Sequence, residues 1–305
     1  MAAMTGTGKT AVLLVLMLSS VLLLAGCGGG SGQAAPGSAP PQPVTYFSGP
    51  VPRLIAHRGG KGLFPENTLS AFERSLALGV QILETDVWST KDGQIVILHD
   101  EDVDRTTDGH GSVRKMTLAQ VRQLDAAWWF TLDGGASYPL RGQGIGIPTL
   151  DEAFQAFPDA RFCIEIKQDK PKIEPEVVGL IEARGMTEKV CVGSFFDPVV
   201  ERVRGLNPGI CTGAGTLGIF LFMVTPMEAL RTQKIPVGAF QIPEEEAGIP
   251  VLTPEFVHKA GELGIETHVW TINDQEDMRR ILGMGVEGII TDYPDRLKEV
   301  IESGF

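Results

Sequence analysis

Short apolar runs alternate along most of this chain with segments in which apolar residues recur every three or four positions. RLIAHRG, ILETDVW, RFCIEIK, KVCVGSF, GICTGAG, PVGAFQI, ETHVWTIN and EGIITD carry strand signals. Segments such as TLSAFERSLALG, PEVVGLIEARG, DPVVERVRGL, TPEFVHKAGELG, DQEDMRRILGMG and DRLKEVIES carry the helical period. Eight strand signals with helices between them, in roughly 250 residues, predict a closed parallel (β/α)8 TIM barrel. An open doubly wound sheet is the alternative. Residues 101–148 break the rhythm with turn signals, one short helical stretch and a Trp128-Trp129-Phe130 cluster, and are expected as a small insertion after the second β/α unit.

Polar residues interrupt the strand runs late in each: His57 and Arg58, Glu84 and Asp86, Glu165 and Lys167, Trp270, and Asp292. In a barrel these positions converge on the mouth at the strands' C-terminal ends, where barrel enzymes carry their chemistry. Glu84 and Asp86 are two apart on one strand and so share a face. Two like charges in a half-buried site repel and lose hydration, which a bound divalent cation would offset. A strand end dipping into solvent is the plainer reading of that pair alone. The stretch 215–227, GTLGIFLFMVTPM, is expected as an apolar loop at the mouth that meets an acyl chain or a bilayer, together with Trp128 and Trp129; a buried crossover is the alternative.

With 43% hydrophobic and 21% charged residues the chain has the balance of a globular protein with a sizeable core. Its net charge of -12, without clustered Lys and Arg, argues against a nucleic-acid partner. Residues 1–26 read as a secretory signal, with Lys9 ahead of an apolar run that is short for a membrane span. The run ends in Leu24-Ala25-Gly26-Cys27, which resembles the lipobox of bacterial lipoproteins, so Cys27 is the expected lipidation site. Residues 27–48, rich in Gly, Ser, Ala and Pro, read as a tether, and 49–305 as the folded domain. The catalytic body is thus expected outside the cytoplasm, anchored in a bacterial envelope, with the outer membrane preferred because Gly28 rather than Asp follows the Cys. Cys163, Cys191 and Cys211 lie in apolar strand runs and are expected as buried free thiols.

The chain resembles the glycerophosphodiester phosphodiesterase family. The resemblance rests on HRGG (57–60), PENTLSAF (65–72), ETDVWSTKDGQIVILHD (84–100), RTTDGHG (105–111), IPTLDEAF (147–154), IEIK (164–167), WTIN (270–273) and GIITDYPD (288–295), in the family's order. It implies a barrel with an insertion after the second strand, a divalent metal, and hydrolysis of a phosphodiester to glycerol 3-phosphate and an alcohol. Carried over, the metal ligands would be Glu84, Asp86 and Glu165, the acid/base pair His57 and His99, and the phosphate-gripping cations Arg58 and Lys167. Trp270 would line the glycerol pocket, and Glu66 would orient Arg58 or, with Asn67, cap a helix. Three carboxylates suit Ca²⁺ or Mg²⁺ rather than a soft-ligand zinc site. The rivals are a lipid-anchored protein that binds phosphodiesters without turnover, and a related barrel phospholipase. Oligomeric state is left open.

Overall fold

The computed structural model describes residues 45–305. The expected signal peptide, Cys27 and the tether up to residue 44 lie outside the described residues. In chain order the first half comprises β1 (Arg53–Ala56), α1 (Leu69–Ala77), β2 (Ile82–Ser89), β3 (Ile95–Ile97), α2 (Leu118–Val121), α3 (Leu150–Ala156), β4 (Arg161–Ile166) and α4 (Glu174–Ala183). There follow β5 (Val190–Gly193), α5 (Asp197–Leu206), β6 (Cys211–Thr212), α6 (Thr216–Val224), α7 (Met227–Leu230) and β7 (Ala239–Pro243). The chain ends with the two-residue strands β8 (Glu245–Glu246) and β9 (Ile249–Pro250), then α8 (Pro254–Glu262), β10 (Glu266–Trp270), α9 (Gln275–Leu282), β11 (Gly288–Thr291) and α10 (Pro294–Glu302).

The strands are buried on both faces, which is why they read as near-continuous apolar runs. They pair in the order β6-β5-β4-β2-β1-β11-β10-β7, all parallel. The last seam, between β6 and β7, closes through a single backbone bond from Gly238 N to Thr212 O at 2.9 Å. A side chain at Gly238 would come within 2.5 Å of Cys211 Sγ, so the close approach at the seam requires glycine. The predicted eight-stranded barrel is therefore present, and the open sheet is not. Helices pack outside; there the Phe162 ring meets Phe154 edge-on at 5.4 Å and Phe72 at 6.0 Å.

The barrel's inner floor is Ile55, Ile82, Ile290 and the three cysteines, all buried and free. Tyr46 completes this floor at 2% exposure, with Phe47 against it. The tether expected to run to residue 48 therefore ends sooner: Tyr46 and Phe47 plug the barrel's end, and the folded domain includes them. Arg53 fastens the plug by donating to the carbonyls of Phe47, Gly49 and Pro50 while its guanidinium pairs with Glu266 at 2.7 Å.

Two further expectations are corrected. The insertion comes between β2 and its helix α3, not after the second β/α unit, and it begins with β3, which pairs antiparallel with the end of β2. It holds its own small core of Val96, Leu98, Val103, Val113 and Val121. The apolar stretch expected as a loop is the helix α6. Its sequence TLGIFLFMV has no polar face to mark it as a surface helix, so periodicity missed it.

Candidate active site

The register of β2 against β4 sets Asp86 directly opposite Glu165, while alternation along β2 brings Glu84 to the same face. Glu84, Asp86 and Glu165 thereby each offer an oxygen within 4.8 Å of the others. Two cations enter the cluster: Lys167 Nζ lies 2.7 Å from Glu165 Oε2 and 3.0 Å from Asp86 Oδ1, and Arg58 Nε lies 3.6 Å from Asp86 Oδ2. Burial pushes Glu84 upward and the charge of Asp86 adds to it; burial likewise raises Glu165. Burial acts upward on Asp86 as well, but Lys167 and Arg58 outweigh it and hold that carboxyl at about 2. A cluster of hard oxygens in which two carboxyls resist ionisation fits a divalent cation, since the ion supplies the missing positive charge.

The turn after β1 delivers His57 and Arg58. Arg58 takes a left-handed φ of 51°, followed by Gly59 at 75°, where a Cβ would strike the Phe72 ring at 2.8 Å. That turn points Arg58 N at Glu84 Oε2, 2.7 Å away. Asn67, also left-handed at 58°, donates to Asp86 Oδ2 at 3.0 Å and accepts from Thr85 Oγ1. The cap of α1 is neither Glu66 nor Asn67 but Thr68, whose Oγ1 accepts from Ala71 N. Glu66 instead accepts from Arg58 Nη1 at 3.2 Å and from both terminal nitrogens of Arg105 at 2.7 Å, which accords with the expectation that it orients Arg58.

Each histidine is held by a carboxylate through Nδ1. His57 Nδ1 donates to Asp292 Oδ1 at 2.6 Å, and Asp292 Oδ2 accepts from Asn273 Nδ2 at 2.9 Å. Burial acts upward on Asp292, yet the bond from His57 and the neighbouring Lys61 bring its carboxyl below the usual range. An ionised carboxylate can only accept, so Nδ1 of His57 carries the proton and Nε2 is the bare nitrogen when the ring is neutral. Burial lowers His57, and the bond to Asp292 only partly offsets this, which keeps the ring neutral near pH 7. His99 Nδ1 donates to Asp100 Oδ1 at 2.7 Å, while Trp88 Nε1 bonds the His99 carbonyl at 3.1 Å. The bond from His99 and the Arg105 guanidinium hold Asp100 well below its usual range.

One cavity of about 480 Å³ is lined by His57, Arg58, Glu84, Asp86, His99, Glu165, Lys167 and Trp270. Every residue expected to touch substrate or metal thus faces it, with Glu66 one layer behind. Trp128 and Trp129 do not line this cavity; each packs over the Arg141 guanidinium at 4.8 Å. Sequence reasoning left Asn67 as a cap, Asp292 as a polar residue late in a strand, and Asp100 and Arg105 as motif letters. Asp100 and Asp292 could have been sought on the rule that a working histidine needs an acceptor behind it.

Residues 57–296 match the model of the family described as "Glycerophosphoryl diester phosphodiesterase family". The chain is 34% identical over 257 residues to a glycerophosphodiester phosphodiesterase of Caldanaerobacter subterraneus subsp. tengcongensis, covering 82% of this chain and 98% of that one. It is 31% identical over 261 residues to a glycerophosphodiester phosphodiesterase of Bacillus subtilis, with coverage of 81% and 85%. Among solved structures it is similar to an Oleispira antarctica phosphodiesterase in complex with the product sn-glycerol-3-phosphate, at 26% identity and a TM-score of 0.65, covering 83% of this chain and 97% of that chain.

Proposed function

The chain belongs to the glycerophosphoryl diester phosphodiesterase family and hydrolyses glycerophosphodiesters to glycerol 3-phosphate and an alcohol; from that premise we propose which of its residues carry the reaction. One observation carries the proposal: two carboxylate-held histidines, three clustered carboxylates and two cations share a single cavity.

Glu84, Asp86 and Glu165 hold one divalent ion, Ca²⁺ or Mg²⁺. When bound, that ion withdraws charge from a phosphoryl oxygen. Arg58, whose buried Nε has no partner within the protein, offers the phosphate a free donor, and Lys167 adds a point charge. His57 Nε2 takes the proton of the substrate's own glycerol hydroxyl next to the phosphate, and that oxygen attacks phosphorus. His99 Nε2 hands a proton to the departing alcohol. Water then opens the cyclic phosphate, with the two histidines exchanging roles. Trp270 forms the wall against the glycerol carbons.

The proposal extends to location. The Leu24-Ala25-Gly26-Cys27 sequence at the end of an apolar run supports cleavage before Cys27, lipidation of that residue and anchoring in the cell envelope. Among the described residues no helix is long and apolar enough to cross a membrane.

The test is glycerol 3-phosphate release from glycerophosphocholine and glycerophosphoethanolamine by a chain beginning at Thr45, first with EDTA and then with Ca²⁺ or Mg²⁺ restored. Metal-dependent release that is lost in His57→Ala and Glu84→Ala supports the assignment. Binding of metal and phosphodiester without release would favour the rival reading of a binding protein.

A further inference from the structure

The cavity has two chemically different ends. At one end are the histidines, carboxylates and cations; at the other are Phe195, Ile219, Phe220, Met223 and Val224, with Trp270 between the two. Four of these apolar residues belong to α6, which presents Ile219, Phe220 and Met223 half-buried at the cavity wall while Leu217, Leu221 and Val224 stay exposed at 37, 44 and 55%. Surface helices normally turn a polar face outward. This one has none.

A helix so apolar needs help to stay at the mouth, and both of its ends receive it. Asp197 accepts from Leu217 N at 2.9 Å and Gly218 N at 2.8 Å, satisfying the free N–H groups of the first turn. Lys259, itself only 5% exposed, donates through Nζ to the carbonyls of Met223 at 3.1 Å and Thr225 at 2.9 Å. A buried lysine is costly unless fully used. Here it ties the C-terminal turn of α6 to α8. Phe222, on the inner side, is locked between the rings of Phe240 at 4.3 Å and Phe256 at 5.0 Å. The wall is therefore a fixed surface and not a loop that could fold away, and it is continuous with the phosphate end of the same cavity.

We propose that α6 is an acyl-chain subsite, and that the enzyme accepts 1-acyl glycerophosphodiesters, that is lysophospholipids, with the chain laid along Phe220 and Met223. This rests on the catalytic assignment above and names a second substrate class for that site. A single chain on the far glycerol carbon leaves the hydroxyl beside the phosphate free to attack. Phosphorus exchanges its bond to the head-group oxygen for one to that hydroxyl, whose proton leaves through His57 while His99 protonates the head-group alcohol. Water then opens the ring to give 1-acylglycerol 3-phosphate. A diacyl phospholipid has no such hydroxyl and is not cleaved.

The experiment compares kcat/KM for glycerophosphocholine with that for 1-acyl lysophosphatidylcholines of increasing chain length, all below their micelle concentrations. Binding of the same lipids to the His57→Ala variant is followed in parallel by calorimetry. With the subsite present, kcat/KM rises about fourfold per added methylene until the chain outgrows the wall. In Phe220→Ser and Met223→Ser the ratio of lysophospholipid to glycerophosphocholine kcat/KM falls about tenfold or more, with circular dichroism reporting the fold. Cleavage of glycerophosphocholine with no dependence on chain length, or variants whose ratio does not move, overturns the subsite and leaves the hydrolase assignment standing. Chain-length-dependent binding without cleavage of any substrate keeps the subsite and overturns the hydrolase assignment.

Discussion

Replacing Asp292 by Asn should damage the enzyme more than replacing it by Ala. In the protein Asp292 serves two donors at once, His57 Nδ1 through Oδ1 and Asn273 Nδ2 through Oδ2. Asn273 cannot turn its amide to suit a new neighbour, because its own Oδ1 accepts from Thr291 Oγ1 and from the backbone N–H of residue 292. An asparagine at 292 must therefore give its oxygen to Asn273 and its NH₂ to His57. Nδ1 would then have to accept, the proton would move to Nε2, and the nitrogen facing the cavity would no longer be a base. General-base catalysis is worth about 10² to 10⁴ in rate, so kcat/KM for glycerol 3-phosphate release should fall by about that factor in Asp292→Asn. In Asp292→Ala the ring keeps access to both tautomers and loses only its orientation, for a fall of about tenfold to a hundredfold. Unfolding midpoints measured beside the kinetics separate this from general damage. Asn within about threefold of wild type, or Ala worse than Asn, would refute the tautomer argument.

Other consequences follow from particular contacts. Tyr46→Ala empties the barrel floor and should cost about 3–5 kcal/mol in urea unfolding, as for other large buried aromatics; a loss below about 1 kcal/mol would mean the plug does not pack as described. Glu266 gives the sign of one part of the acid limb: burial acts upward on it, but His268 and Arg53 outweigh burial and hold its carboxyl below 4.5. Its contribution is therefore fully present above that pH and lost as pH falls through the folded value, so stability should drop less steeply below pH 4.5 in Glu266→Gln than in wild type, measured by thermal unfolding across pH. Glycerophosphocholine lacking the hydroxyl next to the phosphate-bearing carbon should inhibit competitively without being cleaved. Turnover within about threefold of the parent substrate would move the attack to water.

The barrel was legible because its strands are covered on both sides and its helices on one, which writes two distinct periods into the chain. The carboxylate cluster was legible for a related reason: acids at alternate positions of a strand and late in its neighbour have only the mouth to face. What stayed hidden was set by contacts between distant segments. Nothing local marks Tyr46 as part of the barrel floor, since it closes a Gly- and Pro-rich run; its partners Ile82, Cys163 and Ile290 come from strands far along the chain. Nor could the uniformly apolar α6 reveal itself by a period, because its two environments, the Phe222 core and the cavity wall, both select the same kind of side chain. Asn67 was read as a cap because its neighbours form a helix start, whereas its left-handed backbone turns its side chain to Asp86.

The charges at the mouth explain why this arrangement is tolerated. Three carboxylates meet two cations, leaving one net negative charge in a buried place, and the upward push on Glu84 and Glu165 is the consequence. Part of the cost is met locally: Arg58 N and Asn67 Nδ2 donate to the cluster, each from a residue held in left-handed backbone at about 1–3 kcal/mol. A divalent ion when bound turns the balance to one net positive charge, and a phosphodiester, which carries a single negative charge, brings it to neutrality. Glycerol 3-phosphate is closer to a dianion at neutral pH and returns the site to an excess of negative charge. The same charges that draw a diester in would therefore favour release of the monoester product, so selectivity between substrate and product follows from charge count as well as from shape.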